Sequence, residues 1–163
     1  MTALRAFKSA ILPLTAVLAG ITLAACSMGG GGSATAIALA PGLSARMDQP
    51  GASLDRAQAV SIINAYRATN GLPALTPDAA LDGTAQALAN QYAQTGAPPP
   101  APQGLTVMKL SAGYATFAET FSGWRNSPAD AAGLKATATR AGVAVAYNAS
   151  SNYGVHWVLV LDD

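Results

Sequence analysis

The stretch from Ser111 to Leu134, SAGYATFAETFSGWRNSPADAAGL, constrains what this chain can fold into more than any other. It carries Phe117 with Phe121, and Trp124, aromatic positions that can anchor a core. Two helix starts are also legible in it. Thr116 and Glu119 have the spacing of a capping box, in which each side chain satisfies a backbone N–H that the first helical turn leaves unpaired. Ser127-Pro128 combines a hydroxyl cap with a proline at the first helical position, where its missing N–H costs nothing. Asp130 then falls in a first turn, where a negative charge suits the positive end of the helix dipole. The stretch reads as loop, helix, sharp turn, helix.

The flanking chain supplies the other elements. A first helix is expected from Ser53 as cap, with Asp55 in its first turn, to Asn70-Gly71. Ala57, Val60, Ile63 and Tyr66 or Arg67 keep a three-to-four spacing that gives one apolar stripe. Asn64 and Arg67, mid-helix, are expected to pin the neighbouring loop. A second helix is expected from Thr76-Pro77-Asp78, with Leu81, Ala85, Leu88 and Tyr92 on one face and Gly96 as its stop. The run Ala97-Pro98-Pro99-Pro100-Ala101-Pro102 is a stiff spacer that cannot be helix or central strand. Residues 105–110, 141–147 and 155–161 read as strands, the last two joined by a turn over 148–154. The last strand is apolar on both faces, so both are expected to be covered. The fold class is α+β: a three-layer α-β-α sandwich with a small antiparallel sheet flanked by helices.

The N-terminus looks like a bacterial export signal. Arg5 and Lys8 precede an apolar run from Ala10 to Leu23, too short for a comfortable membrane span. Leu23-Ala24-Ala25-Cys26 resembles a lipobox, so residues 1–25 are expected to be removed and Cys26 lipidated. Two or more acyl chains, at about 0.8 kcal/mol per buried CH₂, anchor a protein stably. Bacterial lipoproteins with Ser27 rather than aspartate after the cysteine go to the outer membrane, which implies an anchored domain facing the periplasm. Residues 26–52, with Gly29-Gly30-Gly31-Gly32-Ser33, read as a flexible tether with little fixed structure, and 53–163 as the domain.

Charge and residue scarcity exclude several functions. Nine Lys and Arg face eight Asp and Glu; without Arg5 and Lys8 the balance is seven to eight, and nothing offers a footprint for nucleic acid. Cys26 is the one cysteine and His156 the one histidine, so neither a disulfide framework nor an imidazole–thiolate metal centre can be built.

Asn64-x-x-Arg67-x-x-x-Gly71-Leu72-x-x-Leu75, Leu81-x-x-x-Ala85, Trp124-x-x-Ser127-Pro128, Gly142-Val143 and Tyr153…Trp157 occur in that order. Over residues 54–161 this resembles the CAP superfamily (cysteine-rich secretory proteins, antigen 5 and pathogenesis-related proteins), also called the SCP domain. The resemblance implies a cleft in which histidines and carboxylates hold a divalent metal. Here the first histidine's place falls on the proline run, and the Glu-Asn pair on Met108-Lys109. The next acid falls on Ser127 and the second histidine on Asp130. One oxygen ligand of four cannot retain zinc or a hard cation, so no metal and no cofactor is expected. Met108, Ser127 and Asp130 become the candidate cleft residues, with Met108 making that cleft more apolar.

Two functions follow. The first is a membrane-anchored, non-catalytic periplasmic module binding a lipid-like, peptide or envelope partner, with no catalytic residue. The second is a peptide or cell-wall hydrolase using Ser127, Asp130 and His156. The plainer readings are a first-turn charge for Asp130, a cap for Glu119 and a packed ring for His156.

Overall fold

A computed structural model describes residues 40–163 of the chain. The export signal (1–25), Cys26 and the tether up to residue 39 lie outside the described residues. The elements run α1 (Pro41–Ser44), α2 (Arg56–Thr69), β1 (Thr76–Pro77), α3 (Ala79–Thr95), β2 (Val107–Ala112), α4 (Phe117–Asn126), α5 (Pro128–Leu134), β3 (Arg140–Tyr147) and β4 (Val155–Asp162).

The capping box forms as read: Thr116 Oγ1 accepts from Glu119 N, and Thr116 N donates to Glu119 Oε2. Two helix starts differ from expectation. Asp55, not Ser53, caps α2, accepting from Gln58 N at 2.9 Å. A carboxylate at the cap satisfies an orphan N–H and also meets the helix dipole, so the chain enters the helix there. Asp78 caps α3, accepting from Leu81 N at 2.9 Å. That N–H, with Arg140 as a lesser influence, holds the Asp78 carboxyl below its ordinary range. Thr76-Pro77 becomes an extended edge strand instead.

The sheet order is β1-β3-β4-β2. β3–β4 and β2–β4 are antiparallel, whereas β1 pairs parallel to β3, so the sheet is mixed at one edge. Pro77 has no N–H to donate and is tolerated at an edge only. Thr76 N and Asp78 N, on either side of it, bond Thr139 O and Ala141 O.

Strand periodicity splits the core into two. Val143, Trp157, Leu159 and Leu161 face α2, α4 and α5 with Val60, Ile63, Phe117 and Trp124. Ala144, Val158 and Val160 face α3 through Leu81, Ala85, Leu88 and Ala89. Covered on both sides, β4 is buried from Val155 to Leu161. The result is the expected three-layer sandwich.

Residues 40–51 are not free tether. Leu43 and Met47 are buried in the first core, Met47 N donates to Ala115 O at 2.7 Å, and Gly42 N donates to Gln58 Oε1 at 2.9 Å. Leu43 and Met47, four residues apart, together contribute on the order of 3–6 kcal/mol of apolar burial, which with the two backbone bonds offsets part of the cost of ordering this segment.

Candidate functional site

β2 sends its side chains alternately to the two faces, and this decides how the candidate cleft is built. Met108 turns towards α3 and packs, half-buried, on the second core. Lys109 turns the other way. Its Nζ lies 3.2 Å from Asp130 Oδ1 and donates to Ala129 O at 3.1 Å, tying β2 to the first turn of α5. Met108 and Asp130 therefore lie on opposite faces of the sheet.

Ser127 ends α4 and starts α5, its N donating to Gly123 O, and its hydroxyl makes no capping bond. It lines an open groove of about 530 Å³ with Tyr114, Glu119, Ser122, Gly123 and Asn126. Tyr114 lies so close over α4 that a Cβ on Gly123 would come within 3.2 Å of its ring. Neither Tyr114 nor Gly123 stood out in the sequence; the S-G-W step inside an otherwise regular helix was the available signal. Of the three candidate residues, the groove takes in Ser127 alone.

His156 belongs elsewhere again. It is fully buried on the α3 face of β4, edge-on to Tyr92 at 4.6 Å, with Ser151 Oγ 3.2 Å from its Nε2 and no partner for Nδ1. The sheet lies between this ring and Asp130, and the nearest hydroxyl is Ser151, not Ser127. The Ser127, Asp130 and His156 set does not assemble into a triad.

Burial lowers the pKa of His156 from its ordinary 6.5, with the Gly154 backbone opposing more weakly. The unfolded chain then takes up a proton on acidification that the folded chain refuses. Stability should accordingly be level above about pH 6.5 and fall as the pH drops below it. Urea unfolding between pH 7.5 and 5 should show this decline, and a His156→Gln chain should show a flatter profile over the same interval.

The family's cation does not fit these residues. Its four places hold the proline run, Met108-Lys109, Ser127 and Asp130, and the one carboxylate is engaged by an ammonium that a divalent ion would have to displace. Among the described residues no three His, Cys, Asp or Glu side chains converge on a point.

The model of the cysteine-rich secretory protein family matches residues 60–161. The fold is similar to that of an outer surface protein from Borrelia burgdorferi, with a TM-score of 0.52 and 18% identity, covering 63% of this chain and 88% of that one. It is similar to MpPR-1i, with a TM-score of 0.53 and 20% identity over 63% and 86% of the two chains. A third likeness is an extracellular SCP-domain protein from Bacillus anthracis (TM-score 0.53, 15% identity, 66% of this chain and 40% of that one). No curated protein matches the sequence. With the three-layer sandwich in place and the family model spanning it from α2 to β4, the chain belongs to the cysteine-rich secretory protein, or CAP, family.

Proposed function

We propose that this CAP-fold module is tethered to the bacterial cell envelope through lipidated Cys26 and binds a partner without transforming it. The observation that carries the reading is the Lys109–Asp130 pair at 3.2 Å, an ammonium standing where the resemblance would put ligands for a cation. The groove beside it offers hydroxyl, amide and carboxylate groups from Ser122, Ser127, Asn126 and Glu119, with the ring of Tyr114 as one wall. This lining matches a peptide or another polar envelope partner better than an acyl chain, which needs apolar walls. The likeness to an outer surface protein of Borrelia and to an extracellular protein of Bacillus supports a location outside the cytoplasm.

One preparation tests both halves. Full-length chain purified from bacterial membranes and dialysed against zinc or calcium should retain far less than one equivalent of either. A Cys26→Ser chain should leave the membrane fraction. Stoichiometric metal would overturn the non-catalytic reading, and a membrane-bound Cys26→Ser chain would overturn the lipid tether.

A further inference from the structure

The β3–β4 turn reads Tyr147-Asn148-Ala149-Ser150-Ser151-Asn152-Tyr153-Gly154. Tyrosine, asparagine, serine and glycine are the residues that binding loops favour. Tyrosine brings a large rigid amphipathic face at low entropic cost, and the small polar residues bring adaptable hydrogen bonds. The turn is held firmly. Asn148 Nδ2 donates to Ala93 O of α3 at 2.7 Å, Ser150 N to Asn148 Oδ1 at 3.0 Å, and Tyr153 N to Ser151 Oγ at 3.3 Å. Ser151 is braced in turn against buried His156. These bonds give both the Ser151–His156 contact and the turn a positioning role.

Tyr114, Tyr147 and Tyr153 are the three exposed large hydrophobic residues among the described residues, at 42%, 36% and 57% exposure, and they gather at one end of the sheet. The Tyr153 ring lies 3.7 Å from where a Cβ on Gly113 would sit, next to Tyr114; the Tyr147 ring lies 3.7 Å from the same position on Gly154. Between the turn and the end of α3 is a cup of about 220 Å³ lined by Gln94, Thr95, Asn148, Ser150, Ser151 and Asn152. No Lys, Arg, Asp or Glu occurs in 92–108 or in 141–161.

We infer that this end of the domain is a binding surface for a neutral oligosaccharide. Exposed tyrosine faces match the apolar C–H faces of pyranose rings, and an amide- and hydroxyl-lined cup matches their hydroxyl groups. The turn and its cup carry no formal charge, the nearest being Glu119 beyond Tyr114, so they have little to steer or pair a charged polymer. The cup, lined by amide and hydroxyl groups with Ala93 as its one apolar side chain, gives an acyl chain little apolar wall. The surface meets the α4 groove at Tyr114 but stands independently of it, so metal found in the preceding experiment would leave this inference untouched.

The test is calorimetric titration of the full-length chain with chitohexaose and cellohexaose, and with heparin as the charged comparison. At least one neutral glycan should bind and heparin should not. Tyr153→Ala should weaken binding about tenfold or more, as truncating a central contact does. Tyr153→Phe should retain most of it, and Lys135→Ala, exposed at the end of α5, should change nothing. Binding of chitohexaose alone would assign the cup to acetamido sugars; binding of both would assign it to pyranose rings in general. No binding of either glycan, equal binding of heparin, or unchanged affinity in a folded Tyr153→Ala chain would overturn the inference.

Discussion

An Arg67→Met chain is expected to be about 3–5 kcal/mol less stable than the parent, read as a lower urea midpoint with an unchanged slope. Arg67 is 1% exposed. Its Nε donates to Pro73 O at 3.0 Å, and its Nη1 donates to Leu134 O and Ala136 O, each at 2.9 Å. None of these three partners is a carboxylate. Burial lowers the pKa of the guanidinium, yet an arginine keeps its proton inside a protein and meets the field of the carbonyls as a full charge. Methionine preserves the aliphatic stem and strands three acceptors, at least one of them fully buried. Because those acceptors lie in the loop after α2 and at the end of α5, the loss should also loosen the helix carrying Asp130. Lysine has the charge but not the fork, so Arg67→Lys should recover part of the stability. A parent-like midpoint for Arg67→Met would show that the loop and α5 are held by packing alone.

Gly142→Ala should be nearly as damaging, about 2–4 kcal/mol by the same measurement. A Cβ there would sit 2.2 Å from Leu81 C and 2.4 Å from Asp82 N, both backbone atoms at the start of α3. Neither can swing aside, so the helix must lift from the sheet. The lift would also stretch the bond from Val143 N to Asp82 Oδ1, now 2.9 Å. Gly133→Ala provides the contrast. Its Cβ would meet Lys109 Cε at 2.1 Å, an equally hard clash on paper but with the far end of a flexible side chain. The small gain in helix propensity and the loss of one partly exposed ion pair should roughly cancel, within about 1 kcal/mol. Equal losses at the two glycines would show that the α3–β3 approach is softer than it looks.

The mid-helix pair Asn64 and Arg67 illustrates what could be read in advance. Polar residues interrupting an apolar stripe beside a Gly-Leu-Pro loop have one economical use, and Asn64 does bond both Leu75 N and Leu75 O. The capping box and the doubly covered last strand were legible for the same reason, since local bonding and period-two burial are both written in adjacent residues. Residues 40–51 were misread because alanine and proline dominate their average, hiding Leu43 and Met47. The candidate cleft grouped Met108 with Ser127 and Asp130, although a strand sends consecutive side chains to opposite faces and it is Lys109 that reaches Asp130. The Ser151–His156 contact needed the hairpin register, which no single-residue pattern supplies. Tyr114 over Gly123 needed the relation between a loop and a helix packed beside it.

Docking of α1 and Met47 on the first core has a consequence for how far the domain can roam. If Cys26 holds the acyl chains as proposed, the leash between the anchor and the packed chain is at most residues 27–39 rather than 27–52. Fully drawn out, that shortens its maximum reach from roughly 90 Å to roughly 50 Å. Any ligand of the tyrosine-bearing end must then come within a narrow shell above the bilayer, so distance from the membrane would select among envelope components before chemistry does.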